Sequence, residues 1–204
     1  MDDLGFIHRF IPATRPGLAP LLLLHGTGGD EDDLVPLGER LSPGAALLSP
    51  RGKVNENGMA RFFRRFAEGL FDVEDIKARA QELAEFIARA RAAYKLEKPV
   101  AVGFSNGANI AAALLLAHPG TLAGAVLLRA TLPLEPQTPP DLTSVPVLLL
   151  SGATDPMIPL AGANRLAAVL KAAGADLTHE TLPAGHNLTQ KDISLATQWL
   201  ERLP

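Results

Sequence analysis

Cysteine is absent from the 204 residues, which excludes disulfides, thiolate metal sites and a cysteine nucleophile together. Long apolar runs are missing as well: the longest, such as Ile110 to Ala117 and Val147 to Leu150, fall far short of the ~20 residues that cross a bilayer. No membrane span is expected. Positive charge is not in excess either, and a net charge of −3 leaves no field to gather phosphates, which argues against a nucleic-acid partner. The opening Met1-Asp2-Asp3-Leu4-Gly5 is acidic where a secretory signal carries a basic region ahead of an apolar one, so the sequence predicts no export peptide and a cytoplasmic location. No internal repeat or low-complexity tract interrupts the chain. With 47% hydrophobic and 20% charged residues, it reads as a single domain over 1–204, within the range that one core organises.

What is present is an alternation. Leu21 to Leu24 is a continuous apolar run closed by His25-Gly26, the pattern of a strand buried on both faces and hence of a parallel sheet. Similar runs recur at Ala45 to Ser49, Val100 to Phe104, Ala123 to Leu128, Val145 to Leu150 and, more weakly, Leu177 to Leu182; a further strand is placed near Phe6 to Ile11. Between them the clearest helix spans Val73 to Tyr94, with Ile76, Ala80, Leu83, Ile87, Ala90 and Tyr94 on one face. Others run from Gly107 to Ala117, Leu160 to Ala173 and Thr189 to Leu203 before Pro204. The Pro-rich stretch Thr131 to Pro146 reads as a surface loop. The order predicts an α/β fold, an open and mostly parallel sheet with helices on both faces, whose ligands bind outside the carboxyl ends of the strands.

Gly103-Phe104-Ser105-Asn106-Gly107 fits G-x-S-x-G between a strand and a helix, the context that motif requires. A sharp turn there exposes Ser105 and aims the amide end of the new helix at the place where negative charge develops in acyl transfer. A serine hydroxyl needs a base and a group that holds the base. Asp155, just past the strand Val145 to Leu150, and His186, in the loop after the last strand, complete the chain order Ser, Asp, His. Taken alone, Asp155-Pro156 reads as a turn and His186 as a surface histidine. Of the five histidines, however, only His186 lies between a late strand and the last helix; His8, His118 and His179 read as structural, and His25 as a brace for its loop. An oxyanion hole takes one amide after the nucleophile and one from an early loop, here Asn106 and Thr27 in His25-Gly26-Thr27-Gly28-Gly29-Asp30. That loop lacks both the Lys-Ser or Lys-Thr and the spacing of a nucleotide site.

These segments, with Gly185-His186-Asn187-Leu188 and Arg61-Phe62-Phe63-Arg64-Arg65-Phe66, resemble the α/β-hydrolase superfamily. Within it the chain is similar to the small carboxylesterase/phospholipase group of acyl-protein thioesterases and of carboxylesterases encoded beside hydroquinone-degrading enzymes. The resemblance covers nearly the whole chain. It implies a Ser105, Asp155, His186 triad, hydrolysis of small carboxylic esters, no metal or organic cofactor, and often a homodimer. The related dienelactone hydrolases carry cysteine where Ser105 stands, and Asn106 replaces the glutamine of the thioesterase elbow; neither group's substrate carries over.

Only Arg129 to Ser144 separates two strands where larger relatives insert a helical cap, so a capless, water-open site is expected. The expected walls for the substrate are Met59, Phe62, Phe63, Phe66 and Leu70, from a loop and helix after Arg51-Gly52, with Leu132 and Met157. Phe62, Phe66 and Leu70 stand at helical steps of four, which also suits core packing, and the interspersed Arg61, Arg64 and Arg65 read first as a solvated face. Trp199 belongs to the apolar face of the last helix. A thioesterase or lysophospholipase with the same triad and a non-catalytic binding protein of this fold remain the alternatives.

Overall fold

The computed structural model describes residues 4–67 and 69–203. The acidic start Met1–Asp3, on which the cytoplasmic expectation rests, and Pro204 lie outside the described residues, as does Glu68. In chain order the elements are β1 (His8–Ile11), β2 (Leu21–Leu24), α1 (Val35–Leu41), β3 (Leu47–Pro50), β4 (Val54–Glu56), β5 (Met59–Arg61), β6 (Arg65–Ala67), β7 (Leu70–Phe71), α2 (Val73–Tyr94), β8 (Val100–Phe104), α3 (Asn106–Ala117), β9 (Gly124–Leu128), β10 (Pro146–Gly152), α4 (Leu160–Ala172), β11 (Asp176–Leu182) and α5 (Gln190–Leu200).

Seven strands form one sheet in the order β1-β3-β2-β8-β9-β10-β11. All neighbours are parallel except β1, which runs antiparallel to β3. The pleat explains why an inner strand such as β2 is apolar throughout. Leu22 and Leu24 of β2 point into the core beneath α2, α3 and α4, while Leu21 and Leu23 point to the opposite face with α1 and α5. All four leucines are essentially inaccessible, each contributing roughly 1.5–3 kcal/mol by burial. Trp199 packs against the second face, as its helix position implied.

Helix α2 takes the span its periodicity predicts. Asp72 caps it by accepting from the Asp75 amide at 3.1 Å, and Lys95 ends it in the left-handed conformation at φ 55°. Its stripe Ile76, Ala80, Leu83, Ile87 and Ala90 is buried. Helix α3 is buried from Asn106 to Leu116, so none of these residues forms a solvent-exposed face.

One expectation is corrected, and one helix is new. The described residues between β3 and α2 hold no helix; they form two antiparallel hairpins, β4 with β5 and β6 with β7. Helix α1, only 7 residues long, has no counterpart in the sequence pattern and serves as the crossover from β2 to β3. Between β9 and β10 the described chain contains neither helix nor strand, so there is no cap.

The strand order fixes where a site can form. From β2 the chain crosses to β3 on one side, whereas from β8 it proceeds to β9 on the other. The loops that leave these adjacent strands therefore diverge and open a crevice at their carboxyl ends.

Candidate active site

At the end of β8 the backbone must reverse into α3 within one residue. Ser105 makes that turn at φ 53° and ψ −113°, angles that a non-glycine residue holds only when its surroundings impose them. The surroundings are packed backbone: a Cβ on Gly103 would stand 2.5 Å from the Gly107 carbonyl oxygen, and one on Gly107 would stand 1.9 Å from that of Leu24. Only glycine fits at either position. The Ser105 amide donates to the Leu128 carbonyl at 2.9 Å, tying the elbow to β9.

The structure brings the other two expected residues to this hydroxyl. His186 Nε2 lies 3.1 Å from Ser105 Oγ, and His186 Nδ1 lies 2.8 Å from Asp155 Oδ2. An ionised carboxylate only accepts, so the proton resides on Nδ1 and Nε2 offers its lone pair to the serine. The Asp155 side chain is fully buried, and its Oδ1 accepts from the amides of Met157 and Ile158 at 2.8 and 2.9 Å. Burial alone would raise the Asp155 pKa; hydrogen bonds from the Ile158 amide, the His186 ring and the Met157 amide outweigh it and hold the carboxyl below its ordinary value.

Thr27 leaves β2 beside the elbow. The Gly28 amide donates to Ala60 and the Gly29 amide to Gly26, whereas among the described residues the Thr27 and Asn106 amides have no protein acceptor. Asn106 is the first residue of α3, so its amide sits at the positive end of that helix. Thr27, Ser105 and Asn106 border one cavity of about 250 Å³. His25 braces the Thr27 loop: Nε2 accepts from the Gly52 amide at 2.9 Å, so Nδ1 carries the proton and donates to the Gly26 carbonyl at 2.7 Å. Burial lowers its pKa. His8 and His179 are bonded elsewhere, to Tyr94 and Ser151.

Of the expected substrate walls, Leu132 and Met157 border the cavity. Met59, Phe62, Phe63 and Phe66 are not among its lining residues. Phe62 and Phe63 are core residues, 3% and 0% exposed, packed on His25 and on Phe71. Phe66 and Leu70 are exposed, and Met59 lies over Gly28. The physical reason is the pair of hairpins: Phe62 and Phe63 lie between β5 and β6, Phe66 in β6 and Leu70 in β7, so no single helical face carries them together.

The cavity is more polar than the sequence suggested, because Arg61, Arg65, Asn109 and Thr131 also border it. Arg61, read as solvated, is 3% exposed. Its guanidinium donates to the Thr27 hydroxyl and to the Phe63 carbonyl and pairs with Glu56 at 3.0 Å. Asn106 Oδ1 accepts from the Phe62 amide at 2.7 Å, which ties the elbow to the same segment. A second missed residue is Arg129, wholly buried and paired in two contacts with Asp192. Its signal in the sequence is an arginine placed directly after the apolar strand Ala123 to Leu128.

Fold and site together define an α/β hydrolase. The sequence matches the phospholipase/carboxylesterase family over residues 9–203. It is 42% identical over 181 residues to the putative hydrolase MhqD of Bacillus subtilis strain 168, covering 88% of this chain and 90% of that one. Among solved structures it is similar to the Bacillus cereus carboxylesterase, with a TM-score of 0.94 and 42% identity over 97% of this chain and 94% of that one. It is likewise similar to the carboxylesterase from Mesorhizobium loti, with a TM-score of 0.93 and 32% identity over 100% and 98% of the two chains. The chain belongs to the phospholipase/carboxylesterase family and is a carboxylic ester hydrolase.

Proposed function

We propose that the enzyme is a capless serine esterase for small to medium carboxylic esters, with Ser105 as nucleophile, His186 as base and Asp155 as the group that orients the base. Ser105 Oγ bonds to the ester carbonyl carbon while His186 takes its proton, and the resulting oxyanion is held by the amides of Thr27 and Asn106. His186 then delivers the proton to the departing alkoxide as the carbon–oxygen bond breaks. Water, deprotonated by the same imidazole, attacks the acyl-enzyme and releases the acid. The observation that carries the reading is the unbroken hydrogen-bond chain from Asp155 through His186 to Ser105, ending at a cavity. Its volume and polar lining favour short acyl groups over long alkyl chains. A cytoplasmic location and a homodimer complete the proposal; cell fractionation and light scattering test them.

The deciding experiment compares initial rates on p-nitrophenyl esters from acetate to palmitate for wild type and Ser105→Ala. Turnover that peaks at short chains and falls by about 10⁴-fold or more in the variant is expected. A long-chain optimum would replace it with the lysophospholipase or thioesterase reading. Turnover that survives Ser105→Ala would remove the triad, and a wild type that neither turns over esters nor is labelled by a fluorophosphonate would leave a binding protein.

A further inference from the structure

We propose that Arg129 is a positioning residue that holds His186 at its working distance from Ser105. The inference rests on the triad reading above. His186 sits in a loop that follows β11, a strand at the edge of the sheet with one neighbour, β10. A base carried there needs a tether to the centre of the sheet, where the nucleophile is. Arg129 supplies it. Its Nε donates to the Gly185 carbonyl at 2.9 Å and its Nη2 to the Asn187 carbonyl at 3.2 Å, the residues on either side of His186. Nη1 and Nη2 also reach Asp192 at 2.7 and 2.9 Å, fixing the first turn of α5, which follows the same loop.

The other end of the tether is equally defined. Arg129 is the residue after Leu128, whose carbonyl accepts from the Ser105 amide at 2.9 Å, and its own amide donates to the Leu150 carbonyl at 2.9 Å. Two consecutive residues at the end of β9 thus hold the elbow and the base loop at once. Arg129 holds a left-handed φ of 59°, a conformation unfavourable for a side chain with a Cβ, and its side chain is wholly buried. Lysine cannot reproduce the arrangement, because one ammonium cannot span two carbonyls and a carboxylate as a planar guanidinium does.

The test uses full-length Arg129→Lys, with Arg129→Met/Asp192→Asn as a second variant, which removes both charges of the buried pair and keeps an amide oxygen to accept from Thr189 at the start of α5. Wild type and Ser105→Ala are assayed beside them on the best p-nitrophenyl ester, with thermal melts to confirm folding. Folded variants are expected to lose about 10²-fold in kcat, because misplacing a catalytic group by about 1 Å has that effect, while KM stays within about threefold and fluorophosphonate labelling slows in parallel. If Ser105→Ala is inactive but both folded variants keep wild-type kcat, Arg129 is a structural residue only and the proposal fails. If Ser105→Ala itself retains activity, the triad reading fails first.

Discussion

A histidine with both ring nitrogens committed cannot take a second proton without losing a partner, and His25 is in that position. The Gly52 amide already points at Nε2, so protonation would set two donors against each other and release the Thr27 loop. Burial lowers its folded pKa below 6.5, so between that lowered value and 6.5 the unfolded chain binds a proton that the native protein does not. Stability is therefore complete above this window and declines as pH falls through it. His118 and His179 shift the same way, also by burial. The carboxylates act lower. In Asp155 and Asp192 burial raises the pKa, but hydrogen bonds to the ionised form win and hold both below 3.8, so their contribution is present above 3.8 and lost as pH drops beneath it. Urea midpoints measured across the acid range should fall in these two stages, and His25→Gln should shrink the upper one. An unchanged upper stage in that variant would assign it to the other histidines.

At the scale of elements, the inner strands β2, β8, β9 and β10 could be read from sequence because burial on both faces leaves each as an apolar run, and α2 because one face is uniformly buried over many turns. Residues 54–71 could not. Arg61-Phe62-Phe63-Arg64-Arg65-Phe66 has a helix-like spacing, yet its conformation is set by partners distant in sequence: the Thr27 hydroxyl on Arg61 and the Asn106 amide oxygen on the Phe62 amide. Helix α1 escaped for the opposite reason, since Val35–Leu41 includes Pro36 and Gly38 and is held by its place in the crossover rather than by propensity. The cluster of Ser105, Asp155 and His186 was legible because each member sits beside a strand end with a local signature; Arg129 was not, because its partners at Gly185, Asn187 and Asp192 come together only through the fold. The corrected hairpins give a direct check. Phe63→Ala should lower the unfolding free energy by about 3–5 kcal/mol, while Phe66→Ala, at an exposed site, should stay within about 0.5 kcal/mol. Denaturant unfolding of both variants would reverse the correction if the two losses came out equal.

For the whole molecule, the strand order divides the chemistry between two regions of unequal permanence. The proposed nucleophile Ser105 and the proposed oxyanion amides of Thr27 and Asn106 stand over the central strands β2 and β8, each flanked on both sides, whereas Asp155 and His186 follow β10 and β11, beside and at an edge. Strand β11 is exposed along much of its length, and such margins open locally at lower free energy than the centre. Turnover on slow heating should therefore fade before the far-UV circular dichroism changes, with hydrogen exchange fastest in β11 and α5; coincident curves would show that the edge opens only with the rest. A protein built in this way falls silent while still folded, and on cooling it can resume work without refolding, because the part that failed was a margin and the part that stayed was the template onto which it closes.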